Sequence, residues 1–262
     1  MDSRRILVLG DGFAFGLGVS DDETFSHLIE SSKPNLEVIN MGVAGYGVDQ
    51  MLLLYRILAK DYEADYVFVG ISDEIFYHAM QSFSANGYAK PYFVLAEGGL
   101  ALKNGPVPQP GKFRFEQYPE VVEHSPLEEV FNRSALYRIL KSKLTELGRS
   151  LRVMDPDSSL EWKVGRVILK DLMNEIRSHH ATPVLLILPG KSMKDGSQGA
   201  LEDSLSRFAG KNNFEILDLN PVFAEACRQG GIEKFFTEGK WTPAAHVLAS
   251  EEVRKYLEGK GI

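Results

Sequence analysis

A single cysteine, Cys227, among 262 residues excludes an internal disulfide and a cysteine-rich metal site. It lies in the helix-like stretch Phe223-Ala-Glu-Ala-Cys227, where a buried, inert thiol is expected. Runs of basic residues are also lacking. The formal charge is -7 and the pI is near 5.5, so the chain carries no electrostatic footprint for nucleic acid or for an anionic membrane surface. No apolar run approaches the roughly 20 residues that span a bilayer. Strand character begins at Ile6, which leaves no room after Met1 for the charged and apolar regions of a secretory signal. A cytoplasmic location is therefore expected. Histidines and acids do not recur at ligand spacing, so no metal and no cofactor are expected. Internal repeats and low-complexity segments are absent.

What the chain does have is ample apolar residue, 44% of the total against 25% charged, enough for a sizeable core. Short apolar runs recur at Ile6–Leu9, Leu36–Ile39, Tyr66–Val69, Val184–Leu188 and Phe214–Leu217. Between them, segments such as Thr24–Ser31 and Asp49–Leu58 place apolar residues three and four apart, as a helix with one buried face requires. Alternation of strand and helix predicts an α/β fold in which a central parallel sheet is covered by helices on both sides. Residues 1–262 read as one domain, interrupted at about 81–125 by an insertion. Within it, Pro91–Lys103 alternates around Gly98-Gly99, a hairpin signal. Two longer helical segments follow, Pro126–Leu147 and Ser158–His179. His179-His180 sit where a cation complements a helix end.

The first strand stops at Gly10-Asp11-Gly12, a tight turn at the carboxyl edge of the sheet, where ligands of α/β proteins bind. The simplest reading of Gly10, Gly12, Gly16, Gly18 and Gly45 is that they are turn glycines with positive backbone angles. A dinucleotide fingerprint does not fit, because the third glycine falls one place late and Asn40 stands where a ribose-binding acid is needed.

Four segments resemble the sequence blocks of the SGNH (GDSL-type) hydrolases. Gly10-Asp11-Gly12 with its aromatic, glycine-bearing turn is similar to block I, Gly-Asp-Ser, with Gly12 in place of the serine. Asn40-Met-Gly-Val-Ala-Gly45 is similar to block II, in which Gly45 corresponds to the oxyanion glycine. In Val67-Phe-Val-Gly-Ile-Ser72-Asp73, Ser72 occupies the asparagine position of block III. Glu238-Gly-Lys240-Trp-Thr-Pro-Ala-Ala-His246 is similar to the last block, with Glu238 for aspartate and Lys240 for histidine. The resemblance implies a flavodoxin-like three-layer α/β/α sandwich, the SGNH hydrolase fold, with a β-hairpin insertion. Trp241 and Pro243 are expected to pack the last block on the sheet. His246 corresponds to a non-catalytic histidine. Asp73 and His78 are expected near the pocket mouth.

A serine esterase needs a hydroxyl nucleophile, an imidazole to take its proton and a carboxylate to orient the imidazole. The three positions hold Gly12, Lys240 and Glu238, and a lysine stays protonated at neutral pH unless strongly buried. Two readings follow. In the first, the chain lacks standard serine esterase activity and acts as a ligand-binding or interaction module, taking a small acylated or anionic ligand on the backbone N–H groups of Gly12 and Gly45, with Ser72 nearby and Lys240 at the rim. In the second, it is an ester hydrolase or acyltransferase with a rearranged site built on Ser72, Lys240, or a water activated by Glu238 or Asp11.

Overall fold

The computed structural model describes residues 3–73, 75–83, 89–97, 99–107, 159–190 and 199–262. Five strands, β1 (Arg4–Gly10), β2 (Leu36–Gly42), β3 (Tyr66–Ile71), β6 (Thr182–Ile187) and β7 (Glu215–Asp218), form one sheet in the order β2-β1-β3-β6-β7. Every pairing in it is parallel. A strand covered on both faces reads as an unbroken apolar run, and β1 shows why. Its Ile6 and Val8 point into one core, and its Leu7 and Leu9 into the other.

The first core lies under α3 (Val48–Ile57), α4 (Ile75–Ala79), α5 (Leu160–Ser178) and α6 (Ala200–Asn212). The second lies under α1 (Gly12–Phe15), α2 (Phe25–Glu30), α7 (Asn220–Gly230) and α8 (Pro243–Gly259). The three-layer α/β/α sandwich with a central parallel sheet is thus what the strand-helix alternation implied. Helix starts follow local chemistry. Thr24, Ser159 and Thr242 each accept the N–H three residues on, and Pro243 opens α8 with its ring at a position that needs no donor.

The insertion contributes an antiparallel hairpin, β4 (Tyr92–Ala96) and β5 (Gly99–Lys103), at the place the alternation around Gly98-Gly99 marked. Its predicted remainder up to residue 125, and the helix expected over Pro126–Leu147, lie outside the described residues. Phe93 roots the hairpin in the first core, beneath the guanidinium of Arg56. A second anchor is polar. The ammonium of Lys90 donates to the Asp49 carboxylate in the first turn of α3, and both side chains are buried. Burial pushes Asp49 up to about 6 in spite of the lysine, and pushes Lys90 down. Cys227 sits in α7 as expected, but half-buried rather than buried, because it packs at the margin of the second core.

Among the described residues, no helix is long and apolar enough to cross a membrane.

Replacing Lys90 alone by methionine strands the Asp49 carboxylate in the core, where an unpaired buried charge costs about 3–5 kcal/mol. Urea denaturation of Lys90→Met is expected to show a loss of that size, and the double variant Asp49→Leu/Lys90→Met to recover most of it. Equal destabilisation in both variants would show that shape, not charge, makes the anchor.

Candidate active site

The chain starts in β1, one strand in from the edge, crosses to the edge strand β2 and returns to β3 on the other side of β1. That reversal opens a crevice at the carboxyl ends of β1 and β3, the position where open α/β sheets bind ligands. The turns after β1, β2 and β3 carry Gly12, Gly45 and Ser72 to this edge.

Helix α1 is pressed hard onto the edge. A β-carbon on Gly42 would lie 2.5 Å from the backbone nitrogen of Phe15, and one on Gly10 would collide with the methyl of Ala14. The side chain of Asn40 donates to the carbonyl of Ala14 at 2.8 Å and accepts the N–H of Gly42 at 2.9 Å, clamping helix to strand. Asp11 caps α1 by accepting the N–H of Phe13 at 3.0 Å.

Gly12 differs from these neighbours. A β-carbon there would meet only Leu17 at 3.6 Å and Ala44 at 3.8 Å, ordinary contacts, and its backbone is helical. The expectation that all five glycines adopt positive φ is therefore corrected: Gly16, Gly18 and Gly45 do, but Gly10 and Gly12 do not. Gly10 is required by close packing. Neither conformation nor space requires Gly12 to lack a side chain. Gly45, at φ +82°, faces open space, and neither its N–H nor that of Gly12 has a hydrogen-bond partner among the described residues.

Ser72 is buried, and its hydroxyl donates to the second oxygen of Asp11. Burial pushes the Asp11 carboxyl up from its ordinary value, against the pull of the Ser72 hydroxyl, the Phe13 N–H and the nearby His78. A hydroxyl holds one proton, so while Asp11 is ionised Ser72 offers only lone pairs elsewhere. No short window of sequence signals this pairing, because the two residues are 61 positions apart.

The last block forms a small hairpin, β8 (Phe236–Thr237) and β9 (Lys240–Trp241). Glu238 at φ +48° and Gly239 at φ +79° make its two-residue turn, the primed geometry that tight hairpins favour. Glu238 is exposed there. Lys240 lays its aliphatic stem over Gly18, with its Cδ 3.1 Å from the β-carbon position of that glycine, which brings the lysine to the loop after α1. No ion pair joins Glu238 and Lys240 among the described residues. Trp241 is fully buried, donates to the carbonyl of Pro189 at 2.9 Å and packs on Phe13 at 5.5 Å. The expected packing role of Trp241 is what the contacts describe.

His246 lies in the first turns of α8, buried between Phe25 and Trp241. Its Nδ1 accepts the N–H of Phe25 at 3.3 Å, and burial pushes it down to about 4. Asp73, which follows β3, and Asp218, at the end of β7, both act on Glu202 in α6. Burial pushes the Glu202 carboxyl up, and the two aspartates push it further. Sequence reading missed this acidic group because its members are far apart in the chain. Among the described residues, no group of three or more histidine, cysteine or acidic side chains is placed to hold a metal ion.

No protein-family model matches the chain, and no curated protein matches it. Solved structures do. A protein assigned to the lipolytic G-D-S-L family from Desulfitobacterium hafniense DCB-2 aligns over 97% of this chain and 99% of its own, with TM-score 0.53 and 11% identity. TesA aligns over 98% and 99%, with TM-score 0.55 and 14% identity. Axe2, an acetylxylan esterase from Geobacillus stearothermophilus, aligns as a catalytic mutant over 97% and 94%, with TM-score 0.54 and 10% identity. The fold is that of the SGNH or GDSL-type lipolytic proteins and esterases.

Two outcomes test this description. Gly12→Ala is expected to change stability by less than about 1 kcal/mol, whereas Gly42→Ala, facing backbone at 2.5 Å, is expected to unfold or strongly destabilise the chain in thermal melts. For His246, the folded-state value lies below the ordinary 6.5, so its contribution is complete above pH 6.5 and is lost as pH falls towards 4, by up to about 1.4 kcal/mol per pH unit. In His246→Gln, denaturation midpoints measured from pH 7 to pH 4 are expected to lose that acid slope.

Proposed function

We propose that this chain binds a small acylated or anionic ligand at the carboxyl edge of its sheet and does not hydrolyse it by the standard serine esterase route. The observation that carries the reading is Gly12. Its backbone and surroundings accept a side chain, yet the position that would bear the nucleophile of an SGNH hydrolase has none. Lys240 and Glu238 stand where that route needs an imidazole and its aspartate, and Glu238 serves a turn instead. What the edge retains is a pair of unengaged backbone donors, Gly12 and Gly45, with Lys240 over Gly18 in the loop after α1, which suits a carboxylate, phosphate or carbonyl oxygen.

The second reading, an ester hydrolase or acyltransferase with a rearranged site, is favoured by one contact. The Ser72 hydroxyl donates to Asp11, whose carboxyl burial makes more basic, as a nucleophile does to its general base. The acetylxylan esterase and lipolytic proteins that share the fold make acyl groups the natural class to test.

A fluorophosphonate probe separates the two. The binding reading expects no labelling of the folded protein and saturable heat on titration with acetate or phosphate, while stoichiometric labelling at Ser72 would establish the enzyme. The triple variant Gly12→Ser/Glu238→Asp/Lys240→His is expected to gain p-nitrophenyl acetate hydrolysis, because aspartate tolerates the left-handed turn position and serine fits at Gly12.

A further inference from the structure

The hydrogen-bond inventory at the ends of β1 and β3 has a consequence for ligand binding. Asp11 has two carboxylate oxygens. One accepts the Phe13 N–H at 3.0 Å and the other accepts the Ser72 hydroxyl. Both side chains are largely buried at the edge, so few other partners compete for these atoms. An ionised carboxylate is an acceptor only, and a serine hydroxyl has a single proton. While Asp11 is charged, that proton is held by Asp11, and Ser72 presents lone pairs to anything beside it. An anionic or carbonyl oxygen next to it is repelled.

If Asp11 takes up a proton, the direction of the bond reverses. The carboxylic acid O–H donates to Ser72 Oγ, and the serine proton is released to donate to a ligand oxygen. Gly12 follows Asp11 directly, and Ala44, beside Gly45, is in contact with the Gly12 position, so an oxygen on the Gly12 and Gly45 N–H groups shares the same edge. We propose that Asp11, acting through the Ser72 hydroxyl as a positioning residue, couples binding of an oxyanion or carbonyl ligand at this edge to the uptake of one proton. The inference rests on the ligand-binding reading given above.

The groups around Asp11 are few. From α1 it meets the N–H groups of Phe13 and Ala14, from the end of β3 the Ser72 hydroxyl, and from α4 the imidazole of His78, which favours the charged form. Helix α1, the loop Val43–Gly47 after β2 and the turn Leu188–Gly190 after β6 contain no ionisable side chain apart from Tyr46. Asp73 follows Ser72 in the next turn, and Lys240 approaches from β9 over Gly18. Burial holds the Asp11 carboxyl above its ordinary value, which brings the reversal closer to neutral pH. Linkage is reciprocal, so a ligand that needs the serine proton raises the proton affinity of Asp11 by the same factor.

Inorganic sulfate is the probe, because it stays fully ionised from pH 4 to 8 and any pH dependence belongs to the protein. Titration calorimetry of the full chain in two buffers of different ionisation enthalpy measures affinity and proton uptake together. Sulfate is expected to bind up to about tenfold tighter for each unit of acidification across the Asp11 titration, with uptake approaching one proton. Ser72→Ala is expected to abolish the uptake and keep only weak, pH-independent binding. Asp11→Asn keeps the cap and donates an amide N–H to Ser72, so it is expected to bind with the tight, acid-side affinity at every pH. His78→Gln is expected to retain the linkage. Saturable binding without proton uptake, linkage that survives Asp11→Asn, or linkage lost only in His78→Gln would overturn the proposal and leave the binding reading standing. Absence of saturable sulfate binding at every pH would remove both.

Discussion

The close seating of α1 on the carboxyl edge of the sheet is the constraint on which the site depends. It is possible only because Gly10 and Gly42 have no side chains where the helix backbone and the Ala14 methyl must pass. Asn40 then holds the carbonyl of Ala14, and Asp11 caps the helix from the opposite end. One short helix fixed at both ends sets where Gly12 stands, how Phe13 meets Trp241 and where the loop to Gly18 receives Lys240.

Around that seat the edge divides by charge. The turn after β1 carries an unengaged backbone donor and the loop that receives Lys240, whereas Glu202 in α6 is raised by burial first and then by Asp73 and Asp218. The buried pair of Asp49 and Lys90 joins the hairpin insertion to the first turn of α3, directly after the loop that carries Gly45. The fold shared with the SGNH-type esterases is thus held at this edge by close packing and by buried polar contacts.

Much of the fold was legible in the sequence, and the reason is local. Ile6–Leu9 and Val184–Leu188 are unbroken apolar runs because a central parallel strand is buried on both faces, and the apolar spacing of Thr24–Ser31 and Ser158–His179 marked α2 and α5. The hairpin over Pro91–Lys103 was marked by its alternation, and Gly99 at φ +135° takes an angle that few other residues adopt. The reading of the glycines went astray for the opposite reason. Positive φ and lack of space both select glycine, and only coordinates separate Gly45, which needs the first, from Gly10, which needs the second, and from Gly12, which needs neither.

By itself the sequence determined the layered α/β architecture, the arrival of Gly12, Gly45 and Ser72 at strand ends, and the lack of a nucleophile at position 12, because strand period, turn chemistry and residue identity are properties of neighbouring positions. Tertiary structure alone decided that the Ser72 hydroxyl is engaged by Asp11, that Lys240 covers Gly18 while Glu238 stands apart, and that Lys90 is buried against Asp49. Each of these joins residues between about 40 and 220 positions apart, or separates two that are adjacent but one, and such distances are set by how strands and helices pack rather than by any pattern a short window of sequence contains.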